Sequence, residues 1–529
     1  MDRRFLPAFL LFGLFLAIVI LYEYGESFSF YFVGDDFAFI EYVLTEKAAI
    51  FWKPSCFYHF CPLGLFLITL PANFSIFEPA WFAAVGFVFF LSTSLLIMAV
   101  YRKVAGGLFG GFLAALLFAT AVPNSEVIYW KTGTSTIAMT FFSLVSFLFY
   151  VRYLEKKSVR WFLATIAAFA VSILSMEQGT VTFGFLFLYD LLFQGFPKWK
   201  EATSPERKRE LIPFAVRNLI LLLLPISMMM YKRSLGADLG PFSFSQLFGL
   251  VPHLTRETLI RLFNFNRLHL PFLTSNLSVW LVVLALLVLF FVYIYIRKTA
   301  AGLFFLLGSI GSILTLSLVA GGPNERYFCL PLVYFSCFLS LFFRDVSLVM
   351  LRPIAKKSST SEVNHSRTFF GGHNVLSVTL ILAVAAAGFS GNVQRRTFWA
   401  AASKIERNIV KTVEDTYLAG SFSNGGGKKM YLINIPEYFV TGKDSIFYVS
   451  SNSLMPDLRH RLPEAADNIE LAATAIHFGM DVNSEPVKYR ALGRQNPLDR
   501  KRINQLQQEG HTMFQFSPAL MDIIPVGAS

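Results

Sequence analysis

Charge is what this chain has least of. Asp, Glu, Lys and Arg make up 15% of its 529 residues, against 55% hydrophobic types and a mean hydropathy of +0.54. That balance excludes a soluble enzyme and describes a polytopic membrane protein with a polar tail. Acids are the scarcer sign, 34 against 46 bases, for a net charge of +12. The excess does not call for nucleic acid, because the bases cluster between apolar runs, as the positive-inside rule requires. Cysteine counts four and makes no metal pattern. Cys56 and Cys61 share one loop and would form a disulfide in an oxidising compartment, while Cys329 and Cys337 fall in one apolar run as packing residues. No Gly-Lys-Ser/Thr helix start follows Gly425-Gly426-Gly427, so that stretch is a link and not a phosphate loop. No internal repeat is visible, and no small-residue cleavage site follows the first apolar run.

Long apolar runs are what the chain has most of. Spanning helices are expected near 5–22, 80–101, 104–121, 134–151, 161–178, 180–194, 212–230, 279–296, 301–319, 327–343 and 371–390, about eleven in all. Arg3 and Arg4 precede the first, Arg102 and Lys103 follow the second, and Arg152, Lys156, Lys157 and Arg160 follow the fourth. Further bases follow the sixth, eighth and tenth. Every second connection is therefore basic and expected in the cytoplasm, which puts 23–79, 122–133, 231–278, 320–326 and the tail outside.

The tail, 391–529, changes character and is long enough for a small α/β domain beyond the membrane domain of 1–390. Thr397–Leu418 reads as an amphipathic helix with Ile405, Ile409, Val413 and Tyr417 on one stripe, and 430–436 and 445–450 read as strands.

The outward segments hold the unusual polar residues. Val33-Gly34-Asp35-Asp36-Phe37 sets two adjacent carboxylates at the mouth of an apolar bundle, where burial and mutual repulsion disfavour charge. Phe37, Ile40 and Leu44 recur at helical spacing, with Asp36 placed to cap a short amphipathic helix on the bilayer surface. The same loop carries Lys53 and His59, and the lone His has no second His at ligand spacing. The second loop reads Pro123-Asn124-Ser125-Glu126, ending in Trp130-Lys131; Ser175-Met176-Glu177-Gln178-Gly179 sits at the junction of the fifth and sixth runs; Glu325-Arg326-Tyr327 opens the tenth. A carboxylate can deprotonate an acceptor hydroxyl, and an Arg can hold a phosphate through two parallel hydrogen bonds.

These motifs, over roughly 1–345, resemble the GT-C superfamily of membrane glycosyltransferases and most nearly its protein O-mannosyltransferase group. The Asp pair is similar to that family's first-loop acidic motif, Pro123–Trp130 to its second-loop acidic segment, Ser175–Gly179 to its Ser-Lys-Glu-x-Gly segment, and Glu325–Pro331 to its Glu-Arg-Tyr-x-x-x-Pro segment. The resemblance implies a polytopic α-helical fold and an inverting hexosyl- or pentosyltransferase. Such an enzyme takes sugar from a polyprenyl-phosphate-linked donor and gives it to an envelope acceptor, whether protein, lipid or glycan. It implies a bacterial cell membrane with the tail outside. Asp35 or Asp36 would act as base, Glu126 would assist, and Arg326 with Tyr327 would bind the lipid phosphate. Glu177 would lie beside them. A divalent cation at Asp35 and Asp36 is an option the family leaves open. Met176 stands where the family has Lys, so Lys131 or Lys53 is expected to supply that charge.

Plainer roles stand beside these. Asp36 as cap, Glu126 as a helix N-terminal charge, Arg326 in an ion pair with Glu325 or Glu177, and His59 as a packing residue each account for one residue. Rival functions are a flippase or transporter of lipid-linked molecules and an O-antigen ligase or polymerase. The first would want ionisable groups in mid-helix. The second would leave the early Asp pair unexplained.

Overall fold

A computed structural model describes the chain at residues 5–51, 61–195, 204–234, 276–319, 325–358, 372–420, 428–441, 445–449, 454–481, 488–494, 500–517, 520 and 522–526. Lys53, Cys56, His59 and most of the 231–278 loop lie outside these residues.

Each of the eleven apolar runs is helical. The helices are α1 (Leu6–Tyr24), α2 (Asp36–Glu46), α3 (Pro62–Ala72), α4 (Pro79–Ala105), α5 (Leu108–Ala119), α6 (Asn124–Tyr129), α7 (Thr134–Lys156), α8 (Val159–Ser175) and α9 (Thr182–Asp190). They continue with α10 (Ser204–Ser234), α11 (Asn276–Arg297), α12 (Ala300–Val319), α13 (Cys329–Ser358), α14 (Gly372–Leu418), α15 (Leu454–Arg461) and α16 (Arg500–Gln508). Among the described residues, six helical stretches are long and apolar enough to cross a membrane: Leu6–Phe28, Pro79–Ala105, Lys131–Lys156, Leu211–Tyr231, Arg326–Leu348 and Val375–Leu418. Some of the other runs are shorter as helices than as apolar stretches. The run at 180–194, for example, holds only nine α-helical residues in α9 before a π-turn at Leu191–Gly195. That is about 13 Å of helix, against roughly 30 Å of hydrocarbon.

Glu78 caps α4 by accepting the Ala80 N–H at 3.5 Å, and Arg102 and Lys103 occupy its last turn, where cations meet the negative end of the helix. The basic connections gather at one end of the bundle. Lys103 pairs with Glu155 at 2.7 Å, Arg102 lies 4.2 Å over Phe5, and Arg344 donates to the Ala105 carbonyl at 3.5 Å.

The first long loop is not an open loop. It folds α3, whose Gly64 comes so close to α7 and α8 that an added Cβ would lie 2.6 Å from both the Ser135 Cβ and the Ser175 carbonyl. α2 was expected on the bilayer surface. It packs instead against α3 and α15, burying Phe37, Ile40 and Val43, because Phe37 finds Phe32 at 4.6 Å and the folded loop covers it.

α14 joins the expected last span and the amphipathic helix into one rod of 47 residues, so the boundary at 390 falls within a helix. Ile405, Ile409 and Val413 are buried along its stripe, with Tyr417 half-buried. Beyond it lies a mixed sheet of β1 (Met430–Thr441), β2 (Ser445–Tyr448), β3 (Ile469–Asp481), β4 (Lys488–Arg494), β5 (Thr512–Ser517) and β6 (Asp522–Pro525). Its order is β4-β3-β1-β5-β6, with β2 paired to β1. β1 is central and parallel to both β3 and β5, which fits its buried Met430, Leu432, Ile433 and Ile435. The chain is thus a helical membrane protein carrying a small α/β domain.

Candidate active site

Four of the segments singled out in the sequence meet at the end of the bundle that faces the α/β domain. The acidic turn comes first. Gly34 has φ of +63°, a left-handed conformation that glycine adopts without strain, and it reverses the chain just before α2. The turn aims Asp36 away from the role expected for it. Asp36 is the first residue of α2 and does not cap it; its Oδ2 accepts the Val33 N–H at 3.1 Å, and its Oδ1 accepts the Thr132 N–H of the second loop at 2.9 Å. The carboxyl is 1% exposed. Burial pushes it up to about 7, against the opposing pull of the two N–H groups and Lys131, with Asp35 pushing the same way as burial. Asp35 precedes the helix and is half-buried.

The second loop is stapled down on the same spot. Tyr129 donates to the Glu23 carbonyl at 2.9 Å, and the Lys131 ammonium donates to the Ser27 carbonyl at 2.6 Å. Lys131 is therefore buried, bound to backbone and close enough to Asp36 to favour its charge.

Arg326 lies where the third and fourth segments arrive. Its guanidinium stacks 4.1 Å over Trp130 and 5.1 Å from Tyr327, donates to the Tyr327 hydroxyl at 3.3 Å, and sits 3.8 Å from Glu126 Oε1. Glu126, which also occupies the first turn of α6, thus pairs with Arg326. The charge of Asp35 is close enough to Arg326 for the two to attract. Glu177 is buried and its backbone carbonyl accepts from Thr180 at 2.9 Å.

A small cavity of about 30 Å³, roughly one water, opens among Phe39, Gly64, Thr132, Ser135, Met176 and Arg326. Met176 faces it and accepts a hydrogen bond from Thr136 at 3.2 Å. Sequence reasoning missed Thr132 and Trp130 as parts of the site. Trp130 had a visible signal, an aromatic beside an acidic segment; a backbone N–H leaves none. Among the described residues no group of three or more His, Cys, Asp or Glu gathers as a metal site, and both oxygens of Asp36 are taken by N–H groups.

No protein-family model matches the chain, and no curated protein matches it. Among solved structures it is similar to ArnT from Cupriavidus metallidurans bound to undecaprenyl phosphate, at 13% identity and a TM-score of 0.43, over 98% of this chain and 94% of that one. It is also similar to the archaeal oligosaccharyltransferase AglB from Archaeoglobus fulgidus in complex with an inhibitory peptide and a dolichol-phosphate. That match has 12% identity and a TM-score of 0.37, over 79% of this chain and 62% of AglB. The chain thus spans about three fifths of the AglB length.

Proposed function

We propose that this protein is a membrane glycosyltransferase that moves a hexose or pentose from a polyprenyl-phosphate carrier to an envelope acceptor, at the face of the membrane where the α/β domain lies. The observation that carries this reading is the convergence of α2, the second loop, the Met176 segment and Arg326 on one small cavity, with Asp36 of the acidic turn bonded to Thr132 in its lining.

Asp35 is the base. It is half-buried, immediately precedes α2 and is close enough to Arg326 for their charges to attract. The acceptor hydroxyl gives its proton to Asp35 as its oxygen bonds the anomeric carbon. The bond between that carbon and the phosphate oxygen breaks, and its electron pair leaves on the polyprenyl phosphate. One such displacement inverts the anomeric centre. Arg326 binds the phosphate and neutralises the charge that develops there, with Trp130, Tyr327 and Glu126 fixing its plane. Asp36 and Lys131 hold the two loops in register.

The test is release of free polyprenyl phosphate from polyprenyl-phosphate sugars by purified protein, read by mass spectrometry. It is paired with a comparison of envelope glycans in a deletion strain. Turnover in wild type that is lost in Asp35→Asn supports the reading; full turnover in Asp35→Asn overturns the base.

A further inference from the structure

The stretch that leads into the acidic turn, residues 30–33, belongs to no helix or strand. Its path is set from outside, largely by α14 and the α/β domain. Ser29 accepts from Arg407 at 2.7 Å through its carbonyl, and the Tyr31 N–H donates to the Ser403 hydroxyl at 2.6 Å. The Gly34 N–H, one residue before the Asp pair, donates to the Val449 carbonyl at 2.7 Å. The Tyr31 hydroxyl donates to the buried carboxylate of Asp457 on α15. Arg461 donates to Asp457 at 2.7 Å and to the Tyr31 oxygen at 2.8 Å, and it stacks 4.3 Å from Phe77. A domain that served only as a tether or an acceptor platform would not need a buried carboxylate and a guanidinium closed around one tyrosine of the opposite body, since such groups cost free energy unless every partner is in place.

We infer that the C-terminal domain is a clamp on the acidic turn, with Tyr31, Asp457 and Arg461 as positioning residues and the Val449 carbonyl as its grip on the turn backbone. The Val449 carbonyl holds Gly34 and the Thr132 N–H holds Asp36, so Asp35 is fixed through both of its chain neighbours. The inference rests on the acidic turn being the site proposed above. It adds that the domain's contribution is to kcat, through the placement of Asp35, and not to capture of the lipid donor.

Full-length Tyr31→Phe, Asp457→Asn, Arg461→Lys and Arg461→Ala proteins in micelles test it by two readouts. One is amide hydrogen exchange of the peptide covering 29–36; the other is kcat and donor KM for release of polyprenyl phosphate. The expected result is faster exchange of that peptide in Tyr31→Phe and Asp457→Asn, with the α7 peptides unchanged. In both, kcat should fall about five- to twentyfold while donor KM stays within twofold, and Arg461→Lys should retain more activity than Arg461→Ala. Tyr31→Phe keeps the ring and removes one oxygen, so it decides the matter if Asp457→Asn expresses poorly. Unchanged exchange in Tyr31→Phe overturns the clamp. Faster exchange with unchanged kcat, in a protein that Asp35→Asn inactivates, overturns the positioning role. If Asp35→Asn leaves turnover intact, the site reading itself fails, and the exchange data still decide whether the domain orders the turn.

Discussion

The guanidinium of Arg326 lies 4.1 Å over the ring of Trp130, although the two residues come from different loops of the bundle. Stacking of this kind contributes about 0.5–2 kcal/mol, and the ring fixes the plane in which the guanidinium can meet a phosphate. Arg326→Lys keeps the charge and loses the plane; Arg326→Ala loses both. Turnover should fall in the first and fall further in the second, by roughly 2–4 kcal/mol in transition-state stabilisation. Trp130→Leu should weaken donor turnover in the same direction as Arg326→Lys. An Arg326→Ala protein that folds and turns over donor at the wild-type rate would refute the phosphate role.

Asp35 and Asp36 should separate under the same substitution. Asp35→Asn is expected to lower kcat by about 10²–10⁴-fold. Asp36→Asn presents an NH₂ to one of two backbone N–H groups and leaves a buried donor unpaired, at a cost of about 1–3 kcal/mol. Thermal melting in micelles checks the second, and a lower melting temperature is expected for Asp36→Asn.

The pH dependence of stability follows from Asp36. Its folded-state value of about 7 lies above the ordinary unfolded value of about 3.9, so the folded chain keeps a proton that the unfolded chain has lost. That contribution is full below about pH 4, declines as pH rises, and is gone above about 7. The wild-type melting temperature should therefore fall relative to that of Asp36→Asn across this window. A constant difference between the two proteins would contradict the assignment.

Orientation in the membrane can be tested at two exposed positions. Leu418 is 76% exposed at the end of α14, and Lys156 is exposed at the end where the basic connections gather. In intact cells an impermeant thiol reagent should label Leu418→Cys and not Lys156→Cys. The reverse pattern would invert the topology.

Legibility in the sequence followed the range of each interaction. Apolar runs announce helices because each helix closes its own hydrogen bonds, and all eleven runs became helix. Their ends were less legible: α5 stops at Ala119 and α9 at Asp190 inside runs that read as spanning. β1 was visible as a buried run, but its parallel partner β3 begins almost forty residues later, and no local pattern joins the two. The site divides in the same way. Asp35, Asp36, Glu126 and Arg326 stand out as charges in an apolar chain. The bond from Thr132 to Asp36 spans 96 residues and uses a backbone N–H, which no side-chain pattern reports. Asp457 and Arg461 lie 426 and 430 residues from Tyr31, and without the fold they read as surface charges on a short helix.

The 47 residues of α14 make one rod about 70 Å long, of which the hydrocarbon core takes roughly 30 Å. The rod sets angular phase as well as height. Asn392 meets Tyr24 at 3.0 Å low on it, Ser403 meets Tyr31 at 2.6 Å higher up, and Thr412 meets Asp522 of the domain at 3.0 Å higher still. One residue inserted between Arg396 and Ser403 would turn everything above it by about 100° and raise it by about 1.5 Å. Seven would restore the direction to within about 20° but raise the domain by about 10 Å. The α/β domain and the membrane bundle are thus related like a key and a keyed shaft, and a change of length at mid-shaft is felt at the acidic turn as torque.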